Sequence, residues 1–583
     1  MDSFVESRRL TGPNRHFGVP GAVLEAIAPL PVPPDLVQRW RTLVCEGCTA
    51  LGWPTPVLDV RYGMRGTTLA LSAPLDQLFA ATELNEWAWQ HAAACNDGFH
   101  APGHPAAGDA ASAARTLHAL AAAESNPALQ ALAHAAQAHH LGLYLDDEQL
   151  SIGDGRFGRS WPMAQLPQPD EVPWPALANI RKALVTGSNG KTTSVRLLAA
   201  ILRAMGLRTG HSSTDGLFVD DLPLAAGDYS GPAGARTILR HAQVEAAVLE
   251  TARGGILRRG LALAHADVAL VTGISADHFG EYGVHDLDDL ALTKLAVAHA
   301  IDDSGLLVLN ADDATLSRHA SNLRCRISWF ARDYAHPLLA ATRNAGGNTC
   351  GVVDRVMLLH VGGLEHALGA IDAMPLSAGG VAGYNISNLA GAALAAAALG
   401  APAPLIAEVF ARFGTARGDN SGRLMRWRIA GFEVLLDYAH NPEGLDGLLA
   451  VAAHLGAHGR LGLLLGQAGN RGDEDIRALA AAAAGWQPQR VVLKDIENFL
   501  RGRAPGEVPE LLRAQLLASG LAAAQIEVEL DEVAAVRRLL DWAQAGDIVV
   551  LPVHAARARA QTIALLDALE SGGWRVGQPL PGS

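Results

Sequence analysis

The segment Ala183-Leu-Val-Thr-Gly187-Ser-Asn-Gly190-Lys191-Thr192-Thr193 decides how this chain of 583 residues must be read. A short apolar strand runs into a glycine turn, and the apolar-periodic stretch Ser194 to Met205 then reads as a helix. Backbone N–H groups of such a turn and the start of the helix converge on a point suited to phosphate. Lys191 can reach β- and γ-phosphate oxygens, and the Thr192 hydroxyl can ligate Mg²⁺. The loop is shorter than GxxxxGK[ST], because the residue five before Gly190 is Val185. A bare glycine turn would explain Gly187 and Gly190 but not the Lys-Thr-Thr that follows. Gly187, Ser188, Asn189, Gly190, Lys191, Thr192 and Thr193 are therefore the candidate phosphate-binding residues.

Outward from this segment, further strands are expected at Ala246–Glu250, Val268–Thr272 and Gly305–Asn310, with helical patterns between them. That alternation implies βαβ units and a mostly parallel sheet. Arg343–Met374, with glycine pairs and short apolar runs, reads as a small strand-rich insertion, and Ser387–Leu399 as an Ala-rich helix. The polar, glycine-rich stretch from Gly414 to Gly422 is a hinge candidate. Beyond it the alternation restarts, with buried strands expected at Val434–Asp437, Leu461–Leu465, Arg490–Leu493 and Asp547–Leu551. Upstream, Ala110–His140 reads as helical, Leu141–Gly153 as short strands with a turn, and the proline-rich Trp161–Pro175 as a linker. The expected class is α/β: a central phosphate-loop domain (176–416), a C-terminal Rossmann-like α/β domain (417–583) and a mixed α+β N-terminal domain (1–175).

Composition agrees with a globular chain. Hydrophobic residues make up 49% and charged residues 18%, which excludes a largely disordered protein. The formal charge of −13 argues against broad binding to nucleic acid or to an anionic membrane, but not against a local basic pocket. Five cysteines are too few and odd in number for a disulfide scaffold, so a reducing cytoplasm is the simpler expectation. Cys45-Glu46-Gly47-Cys48 has CxxC spacing, but no second pair follows at zinc-ribbon distance, and an ordinary helical segment is the simpler reading. No stretch approaches the 18 apolar residues of a membrane span, and Met1–Arg9 has no apolar signal core.

Several separate motifs then fall in the order of one family. Thr186-Gly-Ser-Asn-Gly-Lys-Thr-Thr193, Leu249-Glu250-Thr-Ala-Arg253-Gly-Gly-Ile-Leu-Arg258, Asp277-His278-Phe-Gly with Lys294 downstream, and Asp437-Tyr-Ala-His440-Asn441-Pro together resemble the Mur ligase family, most nearly its cyanophycin synthetase branch. Arg501-Gly-Arg503 followed by Gly506-Glu507 extends the resemblance to about residue 510. The family implies that ATP phosphorylates a carboxylate to an acyl phosphate, which an amine then attacks to give an amide. Such chemistry needs metal ions and cationic clamps rather than covalent help from the protein.

By this resemblance Lys191, Glu250, His278, Lys294 and Arg423 would be the catalytic set, with Thr192, Glu250, His278 and Lys294 as Mg²⁺ ligands. Glu250 and His278 end or follow strands and would meet Thr192 at the carboxyl edge of the sheet. A surface carboxylate is the plainer reading of Glu250 taken alone. Lys294 is at the position that the family commonly carbamylates, the new carboxylate bridging a second Mg²⁺; a lysine on an exposed helix face is the alternative. Asn385 and Asn388 match adenine-contacting asparagines, or else an N-cap and a solvent residue. Arg423 resembles the arginine that reaches back to phosphate. Asp437 could accept from ribose hydroxyls, with His440 and Asn441 near the nucleotide. Asn310-Ala-Asp312-Asp313 is a family feature that a capped turn explains equally well.

The second substrate is expected on the C-terminal domain, where Asp495 and Glu497 could hold an amino group and Arg501 and Arg503 its α-carboxylate, while Arg253 would meet substrate on the central domain. A solvated loop of mixed charge is the alternative for residues 494–503. Three positions differ from the usual pattern: Gly273 follows Thr272 where Asn is common, Ser421 precedes Gly422-Arg423 in place of Pro, and Val553-His-Ala-Ala-Arg stands where some members have glycine-lysine-glycine-histidine. Arg9-Leu-Thr-Gly-Pro-Asn14 and Leu150-Ser-Ile-Gly-Asp-Gly-Arg resemble the start of the N-terminal domain in that branch and its join to an ATP-grasp domain. The phosphate loop arrives only a few dozen residues later, so no room is left between them for ATP-grasp. The sequence thus implies an ATP- and Mg²⁺-dependent amide ligase acting on a carboxylate and an amino acid or other amine. A separate ATP-grasp ligase could be its partner, and a homo-oligomer is compatible. A phosphate-loop kinase and a non-catalytic regulatory remnant of a synthetase are the alternatives.

Overall fold

The computed structural model describes residues 4–26, 32–63, 66–93, 99–276, 279–456 and 459–581. Its centre is a sheet of eleven strands in the spatial order Leu222–Ala226, Gly216–Val219, Thr209–Ser213, Ala246–Glu250, Arg181–Thr186, Val268–Val271, Leu306–Asn310, Ile327–Asp333, Thr349–Val353, Val356–Val361 and Leu364–Ala370. From Thr209–Ser213 through Thr349–Val353 the neighbours run parallel. Antiparallel hairpins extend both ends. The central strands are continuous runs of Val, Leu and Ala, as a sheet covered on both faces requires.

One face packs on helices Gly383–Ala398 and Ala403–Arg412, and the other on the segments around Ile238, Ile256 and Val297. Arg343–Met374 is therefore no insertion. Its three strands continue the central sheet, because Thr349–Val353 pairs parallel to Ile327–Asp333 and sets the register for the two that follow.

The N-terminal part has an antiparallel four-stranded sheet, Phe4–Leu10, Gly21–Ala26, Thr67–Ser72 and Leu58–Tyr62 in that spatial order. Helices α1 (Pro34–Ala50), α2 (Leu78–Ala92) and α3 (Ala110–Glu124) form a core with it, and α4 (Pro127–Ala138) follows. Cys45 and Cys48 lie in α1, and burial pushes the Cys48 thiol up to about 12, so it packs as a small apolar group. Leu143–Leu145, Gln149–Ile152 and Arg159–Pro162 form a three-stranded sheet. Trp161–Pro175 does not hang free as a linker: Val172, Trp174 and Met163 pack with α4.

This small sheet is fastened to the phosphate-loop strand. Lys182, fully buried, forms an ion pair with buried Asp154 at 2.5 Å, and the Tyr144 hydroxyl also donates to Asp154. Farther upstream, Thr11 N donates to Arg259 O, Leu261 N to Pro13 O, and Arg15 pairs with Asp289. Residues 4–26 are thus hydrogen-bonded to the central domain.

The C-terminal sheet has six strands in the order Met425–Ile429, Phe432–Asp437, Ile548–Pro552, Leu461–Leu465, Arg490–Leu493 and Ile526–Val528. All but the first run parallel. Its carboxyl edge faces that of the central sheet, so both sheets present the end at which open α/β sheets bind ligands.

Candidate functional site

The turn after Arg181–Thr186 leads directly into helix α5 (Lys191–Ala204), three residues earlier than the apolar period indicates. Gly190 stands at its N-cap with φ +81°, and a Cβ there would lie 2.2 Å from Asn388 Oδ1. At Gly187, with φ +146°, a Cβ would lie 1.8 Å from Thr272 Oγ1. Both positions require glycine for conformation and for space. The loop is braced from the next strand, since Ser188 N donates to Gly273 O at 2.8 Å and Thr272 Oγ1 to Asn189 O at 2.5 Å.

Three polar groups gather behind the loop. Glu250, 1% exposed, accepts from Thr192 Oγ1 at 2.8 Å and from Thr214 Oγ1 at 2.8 Å. Lys191 Nζ donates to the loop's own Gly187 and Ser188 carbonyls, each at 2.9 Å. Lys294, the last residue of helix α8 (Leu287–Lys294), which follows α6 (Pro232–Arg240) and α7 (Arg253–Arg259), is 4% exposed and donates to Gly187 O at 2.8 Å. It therefore points at the phosphate loop and not outward. After Lys294 the helix tightens to a 3₁₀ segment, Leu295–Ala300. A threonine hydroxyl beside a buried carboxylate is a hard-oxygen donor set that fits Mg²⁺. His278, the other expected ligand, lies outside the described residues. Among those described, no three His, Cys, Asp or Glu side chains gather into a metal cluster.

Two cavities flank the loop. The smaller, about 700 Å³, is lined by Ser188–Thr193, Glu250, Asn385, Asn388, Arg423, Asp437 and His440. Asn385 and Asn388 are both buried inside helix Gly383–Ala398, so neither is an N-cap; Asn388 Nδ2 donates to Asn385 Oδ1 at 3.1 Å. Burial pushes the Asp437 carboxyl above its ordinary value, with Arg423 and backbone N–H groups opposing. Asn441 caps helix Pro442–Leu455 through Gly444 N and exchanges amide hydrogen bonds with Asn189.

Arg423 packs over the Tyr438 ring and donates to Gly422 O. It lies 3.5 Å from Asp215, which also pairs with Arg196 of α5 and with Arg559 of the C-terminal domain. Burial alone would raise the Asp215 carboxyl, but the three guanidiniums outweigh it and hold it below the usual carboxylate range. Arg196 also donates to Ser421 O at 2.7 Å, in the expected hinge. Nothing in the sequence marks Asp215, Arg196 or Arg559, because their partners are remote in the chain.

The larger cavity, about 1390 Å³, lies on the other side of Lys191 and is lined by Lys294, Arg253, His440 and Arg501, and by residues of all three parts of the chain. Arg236, Arg258 and Arg259 bring positive charge to its central-domain wall, which also carries Asp228 and Glu281, the latter paired with Arg253. Of the four residues expected to hold the amine substrate, only Arg501 lines it. Asp495 Oδ2 accepts from Gly506 N at the start of helix Glu507–Ala518, and Arg503 pairs with Asp473 and Glu507 while donating to Gly469 O and Arg471 O. These two build the loops instead of facing the cavity, and Glu497 does not line it either. At the variant segment 553–557, buried His554 accepts at Nδ1 from Lys494 Nζ at 3.0 Å and donates from Nε2 to Ala439 O at 3.0 Å. Lys494 also donates to buried Glu532, so this triad supports the 437–441 loop from beneath.

Comparison with known proteins agrees with this architecture. Residues 185–396 match the Mur ligase middle domain and residues 422–552 the Mur ligase glutamate ligase domain. The chain is 34% identical over 375 residues to cyanophycin synthetase of Synechocystis, covering 64% of this chain and 42% of that one. It is 27% identical over 385 residues to UDP-N-acetylmuramoyl-L-alanyl-D-glutamate–2,6-diaminopimelate ligase of Xylella fastidiosa, covering 63% and 70%. Among solved structures, E. coli FolC in complex with DHPP and ADP aligns with a TM-score of 0.47 at 19% identity, covering 67% of this chain and 89% of that one. The chain spans about two-fifths of the length of the cyanophycin synthetases it matches.

Proposed function

The chain belongs to the Mur ligase family of ATP-dependent carbon–nitrogen ligases, and we propose that it activates a carboxylate as an acyl phosphate and joins it to an amino acid or another amine. The observation that carries this reading is the contact of Thr192 with Glu250 directly behind Lys191, with Lys294 of α8 donating to the same loop. In the first step a carboxylate oxygen attacks the γ-phosphorus of ATP, the bond to the β,γ-bridging oxygen breaks and ADP leaves. In the second, the amine nitrogen attacks the acyl carbon, inorganic phosphate leaves and the nitrogen loses a proton.

The loop amides from Gly187 to Thr193 and Lys191 hold the β- and γ-phosphates in this scheme. Thr192 and Glu250, with His278 and the carbamate of Lys294 in the family's places, would hold Mg²⁺, which would offset charge developing on the phosphates. Asn385 and Asn388 receive adenine, Asp437 the ribose, and His440 and Asn441 sit at the phosphate end. Arg423 contacts the transferring phosphate, with closure about 414–422 bringing the domains together. Arg253 meets the activated carboxylate and Arg501 the α-carboxylate of the incoming amino acid. A carbamylated Lys294, a separate ATP-grasp ligase partner, a cytoplasmic location, self-association and the division at about residues 176 and 417 belong to the same reading.

The test is ADP release by the full chain with ATP, Mg²⁺ and a panel of carboxylates and amines, with hydroxylamine as a trapping amine. A hydroxamate that depends on ATP supports acyl phosphate formation. A stable phosphorylated product without hydroxamate would make the protein a kinase, and absence of ATP binding would make it a non-catalytic remnant.

A further inference from the structure

The turn and helix that lead to Lys294 are held from outside the central domain. Within residues 279–285 the backbone takes two consecutive left-handed positions, Tyr282 at φ +54° and Gly283 at φ +68°. A tyrosine keeps that conformation only where its surroundings enforce it. Here the N-terminal part supplies them. Arg8, in the strand Phe4–Leu10, lies over the Tyr282 ring, 4.8 Å from its centre. Gly283 packs on Thr68 so closely that a Cβ there would lie 2.9 Å from Thr68 Oγ1. Buried Arg15 donates through Nη1 to Gly283 O at 3.1 Å and through Nη2 to Asp289, in the first turn of α8. Asp289 Oδ2 in turn accepts from His285 N at 3.0 Å. One guanidinium fork therefore ties both ends of the 283–289 segment.

Arg15 leaves a turn that its own domain braces. Buried Asn14 accepts at Oδ1 from His16 N at 2.8 Å and from Phe17 N at 3.2 Å, and Arg61 Nη2 donates to Arg15 O at 3.1 Å. Asp59 gathers Arg61 Nε and His16 Nδ1, each at 2.7 Å. On its other side α8 is held through Asp288, which pairs with Arg318 and His319 of α9 (Ala314–Ala320). Asp288 and Arg318 are exposed, where ion pairs hold little. The buried fork of Arg15 is the stronger grip.

We propose that Arg15 is a positioning residue for the ligase site: through Asp289 it sets where α8 stands, and so where Lys294, at the end of that helix, meets Gly187 O of the phosphate loop. The N-terminal domain then serves the chemistry by fixing a helix, apart from any contact of its own with a substrate. The inference rests on the ligase reading only for what Lys294 does once it is in place.

The test uses the full chain with Arg15→Met, Arg15→Lys and Asp289→Asn. Hydrogen exchange read by mass spectrometry reports position without turnover: amides of residues 279–294 should exchange about tenfold faster in Arg15→Met, with those of α5 unchanged. In amine-dependent ADP release, kcat should fall about 10- to 100-fold and the Mg²⁺ concentration for half-maximal rate should rise, the scale of losing a group that orients a metal ligand. The KM for ATP should move less than about twofold. Arg15→Lys keeps one donor for Asp289 and should recover part of both losses; it and Asp289→Asn carry the comparison if Arg15→Met fails to fold. Unchanged exchange over 279–294, faster exchange spread evenly along the chain, or wild-type kcat in a variant that has only lost stability overturns the positioning role. If the wild type itself releases no ADP, the ligase reading fails, and local exchange alone decides whether Arg15 holds α8.

Discussion

Asn189 and Asn441 exchange two amide hydrogen bonds, Nδ2 of Asn441 donating to Asn189 Oδ1 at 3.0 Å and Nδ2 of Asn189 to Asn441 Oδ1 at 3.2 Å. One residue belongs to the phosphate loop and the other starts the helix Pro442–Leu455 of the C-terminal sheet, so this pair couples the two halves of the smaller cavity. Asn441→Ser should separate the coupling from the cap. Serine still caps the helix but is too short to reach Asn189. ADP release should fall about tenfold, the scale of one or two lost hydrogen bonds, with the unfolding temperature nearly unchanged. A parallel loss of stability would mean that the pair serves the fold alone.

Lys191 rests on the carbonyls of its own loop and has only to swing outward to meet a phosphate. Lys191→Ala keeps the glycine turn and the loop amides but loses the mobile cation. Turnover should drop on the order of 100- to 1,000-fold, measured as amine-dependent ADP release. Wild-type turnover in this variant would sink the assignment of the loop.

Lys294→Arg keeps a cation beside Gly187 but cannot form a carbamate. It should lower ADP release about 100-fold and remove any response to bicarbonate, whereas wild-type protein prepared without carbon dioxide should regain activity when bicarbonate is added. Equal bicarbonate independence of both proteins would count against carbamylation.

Asp215 holds Arg196, Arg423 and Arg559 around one carboxylate. Asp215→Asn leaves three guanidiniums facing one another and should cost about 3 kcal/mol of stability, seen in denaturant unfolding, with a broader solution scattering profile as the domains part. Because the folded carboxyl is held below its ordinary value, its contribution is present above pH 4 and is lost as pH falls through the folded value. The variant should lack that part of the acid loss.

His211 gives a second pH signature. It is buried, stacked on Phe218 at 4.8 Å, and burial together with Arg196 and Arg203 pushes its imidazole down to about 3. The folded protein holds it neutral, so the unfolded chain gains a proton below pH 6.5 and stability falls on acidification. Between pH 6.5 and 5 this amounts to about 1.5 kcal/mol. His211→Gln should show a correspondingly shallower fall across that range, read from unfolding at each pH.

What could be read from the sequence, and what could not, divides by distance along the chain. The phosphate loop and the strand ends carrying Glu250 and Asp437 are local patterns, and their periodicity places them, whereas the helix read from Ser387 begins at Gly383 and so takes in Asn385. Lys294 is ambiguous in sequence, because whether its face of α8 is exposed depends on what packs against that helix. Asp495 and Arg503 look like a binding cluster in sequence, yet their charges are consumed by a helix start and two backbone carbonyls.

The bond from Lys182 to Asp154 has a consequence for modular exchange. A recombination event or an engineered cut near residue 176 would carry Asp154 and Tyr144 away and leave the Lys182 ammonium at the base of the phosphate-loop strand without its ion-pair partner. Such an excised ligase should be insoluble, whereas a cut placed before Leu141 would keep the charge neutralised. The heritable unit of this ligase therefore begins some forty residues upstream of its phosphate loop.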